Sequence, residues 1–208
     1  MFVELLEKLR CPNGHADSPL IAAATRTADR NIIEGTLGCF VCHAEYPIHA
    51  GAVDFGNDEP VPALTADALS EERCVRVGAL LGLDERGGLY VLDMISSYFI
   101  TELARLSPAS RFVALTANPE MEGADLVIIG HGSGIPLARG CARGIALDES
   151  SPALLRSAVQ ALAPGGRLVA PAKALVPDGI TEIARDAEGW VGVREETPVI
   201  SELRRAPR

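Results

Sequence analysis

Short apolar runs alternate with segments of helical periodicity over most of the chain. Runs of this kind are typical of buried parallel strands. The predicted strands are LYVLDM (89–94), RFVALTA (111–117), ADLVIIG (124–130), ARGIALDES (142–150) and a strand that begins with GRLVAP (166–171). Because helical stretches lie between these runs, the pattern predicts an α/β fold built on an open sheet.

Two of the predicted helices carry boundary signals. The first is expected from Thr65, an N-cap residue, to near Gly82,. The second begins at Ser151 with Pro152 in its first turn, and Gly165 is expected to stop it,. Their apolar stripes are Leu69, Val77, Leu80 and Leu81 in the first helix and Leu154, Leu155, Ala158, Val159 and Leu162 in the second,.

The remaining segments have weaker patterns. ISSYFITELARL, which follows the first strand run, has helical periodicity,. The tail predicts a helix from Gly179, followed by a closing pair of strands around WVGVREE and VISELRR,.

The first fifty residues differ from the rest, since they predict short strands around two cysteine-bearing turns. The stretch GNDEPVPA (56–63) then combines acidic residues, two prolines and glycine, which is typical of a boundary,. The sequence therefore predicts a small β-rich domain over residues 1–56, a linker over 57–63 and an α/β domain over 64–208.

Three of the five cysteines lie in the N-terminal segment, and this clustering indicates a metal site more than a disulfide framework,. Cys39 and Cys42 form a CxxC pair, whereas Gly14 stands where a second CxxC would place its sulfur. The preferred zinc ligands are Cys11, His15, Cys39 and Cys42, with His43 as a spare candidate. Four protein ligands leave no open position, so such a zinc ion would be structural. Loss of the metal, with the turns retained, is the alternative.

The other two cysteines, Cys74 and Cys141, stand alone in apolar surroundings. A free thiol in such a place behaves as a small hydrophobic side chain, so both are assigned to packing.

Composition and charge narrow the classes of function. The chain has 208 residues, and 28 Asp and Glu against 19 Lys and Arg give it a formal net charge of -9. Most of its surface would repel a phosphate backbone, which disfavours autonomous nucleic-acid binding. No run of about 18 apolar residues is present, and the acidic residues near the N-terminus do not suit a signal peptide,. We therefore expect a soluble cytoplasmic protein without a membrane segment.

The N-terminal motifs LLExLxCP, EGxLxCxxC and YPIxxGxxDF resemble the zinc-ribbon proteins that activate tRNA and release-factor methyltransferases, and their short bacterial relatives. The resemblance covers about residues 2–56. The matching positions are Leu5, Leu6, Leu9, Cys11, Pro12, Glu34, Gly35, Leu37, Cys39, Cys42, Tyr46, Pro47, Ile48, Gly51, Asp54 and Phe55. The resemblance implies a module that packs against a methyltransferase and supports it.

The rest of the chain, from residue 64 to about 205, resembles class I methyltransferases that use S-adenosylmethionine. Three segments carry this likeness: SPALLRSAVQALAPGGRLVAP (151–171), Asn118-Pro119-Glu120-Met121 and Ile135-Pro136-Leu137. The expected fold is thus a zinc ribbon followed by a Rossmann-like open sheet. Only two residues separate the Asn-Pro-Glu-Met segment from the next strand, so the helix between strands two and three of this sheet is expected to be missing.

The resemblance also locates a cofactor pocket, and its key positions depart from the family pattern. The turn after the first strand contains Asp93, Ser96 and Ser97 but no glycine, and the β-branched Ile95 does not favour positive φ,. The family's ribose-binding acid is replaced by Thr116. The position of its adenine-contacting aspartate is taken by His131. These changes weaken the expectation of S-adenosylmethionine binding.

Two further segments have both a functional and a purely structural interpretation, and we prefer the structural one for each. Asp148 and Glu149 follow a strand, where functional groups often lie, yet acids before Ser-Pro are also good helix-start residues,. The glycine-rich stretch 130–134 lacks the lysine of a phosphate-binding loop and the glycines of a nucleophile elbow, so it is interpreted as a loop,.

Two hypotheses for function follow. The first is a non-catalytic scaffold or regulator of a protein partner, in which a zinc ribbon is joined to a methyltransferase-like domain with an emptied cofactor site. The second is a divergent methyltransferase that keeps the ribbon for stability. A third possibility is reuse of the crevice above Asp93 and His131 for another small ligand.

Overall fold

The structure, a computed structural model, describes residues 1–13, 15, 17–56, 69–118, 121–130, 134–148 and 151–195. Its strands are β1 (Leu20–Ala28), β2 (Asn31–Cys39), β3 (Glu45–His49), β4 (Ala52–Asp54), β5 (Leu89–Asp93), β6 (Arg111–Leu115), β7 (Leu126–Ile129), β8 (Ala142–Ala146), β9 (Leu162–Pro171), β10 (Ile180–Arg185) and β11 (Gly189–Arg194). Its α-helices are α1 (Glu71–Leu81), α2 (Ile100–Leu106) and α3 (Pro152–Ala161), with 3-10 helices at Val3–Lys8 and Ser96–Phe99.

All of these strands belong to one 11-stranded sheet, in the order β1-β2-β3-β4-β7-β6-β5-β8-β9-β11-β10. The strands from β4 to β9 in this order pair in parallel, and those at both flanks pair antiparallel. If β5 is counted as the first strand of the α/β region, the central order is 3-2-1-4-5, which is that of a Rossmann-like doubly wound sheet. The predicted α/β class is confirmed.

The N-terminal β-rich segment, residues 1–56 with strands β1 to β4, is called the ribbon below. It continues this sheet within the same chain. β4 pairs in parallel with β7, where Val53 lies opposite Ile128. The backbone N–H of Arg10 also donates to the carbonyl of Pro136, at 2.9 Å. Buried side chains of the ribbon and of the larger region share one apolar cluster, and these include Leu37, Ile48, Val113 and Leu155. The predicted linker, 57–63, lies outside the described residues, so the division into 1–56, 57–63 and 64–208 stays a prediction.

No helix is present between β6 and β7 among the residues that the structure describes there, 116–118 and 121–125, which agrees with the expected loss. The N-terminal segment helps to cover this part of the sheet instead. The backbone N–H of Phe2 donates to Asp125 at 2.8 Å, and the Arg111 guanidinium lies 4.4 Å from the centre of the Phe2 ring. Leu5 and Leu9 belong to the same buried cluster as the inward-facing side chains of β6 and β7.

Helix α1 begins at Glu71, where the Ser70 side chain accepts from the N–H of Arg73. Thr65, the expected N-cap, lies outside the described residues. The predicted end is confirmed, because Gly82 adopts the left-handed conformation with φ 65°. No helix of the described part of the chain is long and apolar enough to span a membrane.

The predicted end of the second helix is wrong. α3 begins as expected, with Ser151 as N-cap, but it ends at Ala161, and Gly165 lies within β9. The residue before a proline disfavours the helical region, and Ala163 precedes Pro164, so the chain becomes extended before the glycines are reached. The pairing of β8 with β9 is irregular at this point, between Ala142 and Gly144.

The predicted helix after Gly179 is also wrong, since Ile180–Arg185 forms β10. Only Ile180 of this strand is buried, and the remaining five residues are exposed. Pairing with β11 therefore decides its conformation, in the way that tertiary context often overrides weak local preference. WVGVREE is confirmed as strand β11 in its first half, and VISELRR lies outside the described residues.

Candidate functional site

The four predicted metal ligands come together in the ribbon. One ligand atom from each of Cys11, His15, Cys39 and Cys42 lies within 4.8 Å of every other. The Sγ atoms of Cys11 and Cys42 are 3.6 Å apart, and Cys39 Sγ lies 3.4 Å from His15 Nε2. A tetrahedral zinc ion with Zn–S bonds of about 2.3 Å separates its ligand atoms by roughly 3.5 to 3.8 Å. The group thus has the donor set and the spacing for such an ion.

Local backbone structure places these ligands. Cys39 ends β2, and a tight turn leads from it to Cys42, with the His43 N–H donating to the Cys39 carbonyl at 2.9 Å. His43 has a φ of 57°, a region that histidine enters more readily than most residues,. His15, and not His43, joins the three thiols, so the ligand set preferred from the sequence is the one that the fold assembles.

The surroundings of the thiols favour a bound cation. The backbone N–H of Ala44 and the side-chain amide of Asn13 lower the pKa of Cys42 to about 6. Burial raises the pKa of Cys11, whose Sγ lies 3.3 Å from the Tyr46 hydroxyl. Because a metal needs deprotonated sulfur, the donors to Cys42 and the Tyr46 hydroxyl beside Cys11 would help to hold and orient thiolates, whereas burial of Cys11 opposes this until a cation binds,.

The two solitary cysteines lie outside this group. Cys74 is buried in the apolar cluster beneath α1, and Cys141 is partly buried. Burial raises the pKa of both thiols, which keeps them protonated and unreactive,. Their assignment to packing agrees with this placement.

The strand-end positions of the expected cofactor pocket are buried. Asp93, Ser96, Ser97 and Thr116 are between 0% and 4% exposed. The Ser97 hydroxyl donates to the Met94 carbonyl at 2.6 Å, and the Thr116 hydroxyl accepts from the N–H of Asn118 at 3.2 Å. His131 lies outside the described residues. The hydroxyls of Ser96, Ser97 and Thr116 thus each make a hydrogen bond within the protein.

Asp148 ties these positions together. Its carboxylate accepts from the Ser96 N–H at 2.8 Å and from the Ser96 hydroxyl at 3.1 Å. Arg73 donates to the same carboxylate at 3.0 Å, and the Asp148 N–H donates to Asp93 at 3.2 Å. Burial raises the pKa of the Asp148 carboxyl, although hydrogen bonds from Ser96 and the charge of Arg73 oppose this.

The preferred interpretation of Asp148 as a helix-start residue of α3 is therefore wrong. The N-cap of α3 is Ser151, whose hydroxyl accepts from the Leu154 N–H at 3.2 Å. Asp148 instead holds the turn at the start of the Ser96–Phe99 helix. Its companion Glu149 lies outside the described residues.

The turn after β5 is built without glycine, as the sequence indicated. Ile95 remains in the right-handed helical region, with φ -66°, and Met94 takes the positive φ of 38°. A non-glycine residue there is strained at a cost of about 1 to 3 kcal/mol. Side chains therefore line this turn where a glycine would leave the backbone open to a ligand.

A cleft of about 380 Å³ lies beside this network, between α1 and the ends of β8 and β9. Ser96 and Asp148 reach its wall, and Arg73, Arg76 and Lys173 also line it. Ser96 and Asp148 were candidates from the sequence, whereas the three cations were not. Arg73 and Arg76 lie one turn apart on α1 and Lys173 follows β9, so no local motif joins the three.

No protein-family model matches the chain, and no curated protein sequence matches it either. Among solved structures, geranyl diphosphate methyltransferase in complex with GPP and sinefungin is 17% identical with a TM-score of 0.40, covering 49% of this chain and 45% of that one. A putative S-adenosyl-L-methionine-dependent methyltransferase of Methanococcus maripaludis is 14% identical with a TM-score of 0.42, covering 62% and 86%. The complex of the Haloferax volcanii Trm112 methyltransferase activator with a putative methyltransferase contributes a chain that is 21% identical with a TM-score of 0.39, covering 48% and 53%.

The chain spans less than half the length of the first of these proteins. Structural matches with TM-scores of 0.39 to 0.42 support no conclusion about function. The strand order and the geometry of the two sites are what bear on function.

Proposed function

We propose that this chain is a non-catalytic, methyltransferase-like protein that serves as a scaffold or regulatory partner of another protein. Its ribbon would hold a structural zinc ion through Cys11, His15, Cys39 and Cys42. The bound ion would cross-link the segments before β1 and after β2, and with four protein ligands it would leave no position for substrate or water.

The closed polar network around Asp148 carries this proposal. A cofactor pocket needs groups at the strand ends that are free to turn toward a ligand. Here the Ser96 N–H and hydroxyl are both taken up by Asp148, which is itself held by Arg73. A ligand that took over the Ser96 donors would leave the buried Asp148 carboxylate without two of its hydrogen bonds, at a cost of several kcal/mol.

Thr116 adds to the argument. A carboxylate at this position would offer two oxygens to a pair of ribose hydroxyls. Thr116 is 2% exposed as a residue, and its single hydroxyl already accepts from the N–H of Asn118. It has neither the second oxygen nor the access that a ribose contact requires.

The ribbon has a role in this proposal that its position supports. It extends the sheet at β4 and places its first residues against β6 and β7 in one shared apolar cluster. The resemblance to methyltransferase activators would then describe a support that is supplied by the same chain. Apolar side chains exposed on the ribbon beside the metal group, Ile21, Phe40 and Val41, favour a protein partner,.

Titration calorimetry of the zinc-loaded protein with S-adenosylmethionine and S-adenosylhomocysteine tests the proposal. We expect no saturable heat with either compound. A dissociation constant below about 100 μM, or roughly -5.5 kcal/mol, would overturn the non-catalytic assignment. Metal content, measured beforehand by elemental analysis, is expected to be one zinc ion per chain.

The alternative is a divergent S-adenosylmethionine-dependent methyltransferase. One observation favours it, because Ser96 and Asp148 reach the wall of an open cleft of about 380 Å³ at the strand ends. If calorimetry shows binding, the variants Ser96→Ala and Thr116→Val distinguish binding in a cofactor pocket of the family type from binding in the cleft. A pocket of the family type would lose affinity with both changes, whereas binding in the cleft would respond to Ser96→Ala alone.

A further inference from the structure

The cleft beside Asp148 combines an apolar floor with a charged rim. Its floor is formed by Val77 and Leu80 of α1 and by Ala146 and Ala170 at the ends of β8 and β9. Val77, Ala146 and Ala170 are each at least 94% buried. Such a floor fits the flat apolar body of a small molecule, and the volume lies near the lower end of the range for small-molecule sites,.

The rim carries charges of both signs, since Asp148 and Glu188 line the cleft together with three cations. Arg73, Arg76 and Lys173 all line the cleft. Arg76 is paired with Asp186 at 2.6 Å and lies 3.4 Å from Glu188. It is therefore balanced by acids and contributes little net charge.

Arg73 and Lys173 keep donors for a ligand. Arg73 is ion-paired with Asp148 at 3.0 Å, but this pair uses a single terminal nitrogen and leaves the other N–H groups of the guanidinium fork,. Among the residues that the structure describes, no hydrogen bond or ion pair engages the Lys173 ammonium. A guanidinium with spare N–H groups and an ammonium that no described residue pairs with, above an apolar floor, favour a carboxylate or a similar small anion.

We propose that this cleft binds a small organic anion, namely a carboxylate carried on a flat aromatic body. The carboxylate lies between Arg73 and Lys173, and the ring covers the floor formed by α1, β8 and β9. This assignment does not depend on whether the protein binds S-adenosylmethionine or zinc.

The sequence supplies a built-in reporter for this site, because Lys8 and Lys173 are its only lysines. Reductive methylation with ¹³C-formaldehyde labels both and retains their positive charge. Lys8 lies in the ribbon, paired with Glu7, and serves as an internal reference. During titration with naphthalene-2-carboxylate, we expect the Lys173 methyl signal to shift saturably while the Lys8 signal stays constant.

A matched ligand and matched variants complete the test. Naphthalene-2-carboxamide has the same ring without the charge, and we expect it to bind at least about tenfold more weakly in calorimetry. Lys173→Gln is expected to weaken binding of the carboxylate about tenfold, and Lys8→Gln to leave it unchanged. Both lysines are on the surface, so the circular dichroism of the two variants should match that of the parent protein.

Three results would overturn the proposal. Equal affinity for the carboxamide would show that the rim does not select an anion. Equal affinity in Lys173→Gln would remove Lys173 from the site. Parallel, unsaturated shifts of both lysine signals up to about 10 mM ligand would show weak association with the surface instead of a site.

Discussion

The carboxylate of Asp148 accepts both the backbone N–H and the hydroxyl of Ser96, at 2.8 and 3.1 Å, across 52 residues of sequence. This relationship joins the end of β8 to the turn after β5, at the point where the strand order of the sheet reverses. Ligands of doubly wound folds bind at this place. In this protein the same place holds an internal polar network.

Removing Asp148 should destabilise the protein more than removing its partner hydroxyl. Asp148→Ala would leave Arg73 and the Ser96 N–H without their acceptor, and we expect a loss of about 2 to 3 kcal/mol in the free energy of unfolding. Ser96→Ala removes only one hydrogen bond and should cost about 1 kcal/mol. Urea denaturation measures both. The exposed Asp178→Ala serves as a control, and equal losses in the Asp148 and Asp178 variants would contradict the network.

The pH dependence of stability should reveal the burial of Asp148. Burial raises the pKa of this carboxyl above its ordinary value of 3.8. A carboxyl whose pKa is higher in the folded state contributes stability below its unfolded pKa, and this contribution is lost as pH rises through the folded-state pKa. Asp148→Asn has no such titration. The stability of the parent protein relative to this variant should therefore be greatest below about pH 4 and decline as pH rises through the higher pKa of the folded state,.

Denaturation midpoints of the two proteins, measured at matched ionic strength across this range, test the prediction. The rest of the chain titrates equally in both proteins, so the difference isolates Asp148. A relative stability that increases with pH would show that the hydrogen bonds from Ser96 and Arg73 outweigh burial, and that the pKa is lowered.

The two histidines near the cysteines should differ in their effect on zinc. His15→Ala removes a member of the ligand group, and we expect zinc affinity to fall roughly tenfold or more. His43→Asn changes a residue outside the group and retains a side chain that tolerates its positive φ,. Its zinc affinity should match that of the parent protein. Competition with a chromophoric chelator measures both, and a reversal of the two results would assign His43 as the ligand.

The ribbon and the larger region should unfold together. They share one sheet and one apolar cluster, and the sole tryptophan, Trp190, lies in β11 on the far side of that sheet. Removal of zinc by a chelator should therefore lower the unfolding midpoint reported by Trp190 fluorescence. An unchanged Trp190 transition would show that the two regions are independent domains, as the predicted division at residues 57–63 would allow.

A mutation at the junction between the ribbon and the larger region tests the same coupling without removal of zinc. Val53 is fully buried in β4, opposite Ile128. Val53→Ala should lower the free energy of unfolding seen by Trp190 by about 2 kcal/mol. Val75→Ala, at a side chain that is 58% exposed, should change it by less than about 0.5 kcal/mol,. Equal effects of the two variants would argue against a shared core.

Local pattern was sufficient for much of the fold and for the metal group. The apolar runs that became β5 to β9, the C-cap of α1 and the N-cap of α3 depend on neighbours a few residues away, so periodicity and capping chemistry reveal them. The metal ligands could be predicted from the sequence for a similar reason. Cys39 and Cys42 share one turn, and the preference for His15 over His43 follows from its place beside Cys11.

The tertiary structure decided what depends on distant partners. Ile180–Arg185 became a strand because β11 offered it an edge, and the N-terminal segment covered β6 and β7, between which the described residues form no helix. Arg73 meets Asp148 across 75 residues, and Lys173 joins their cleft from a third segment. Local sequence carries no signal for such meetings, because they arise only when the sheet brings strand ends together. The sequence by itself thus determined the elements and the metal group, and the packing of one continuous sheet determined the closed polar network and the cleft beside it.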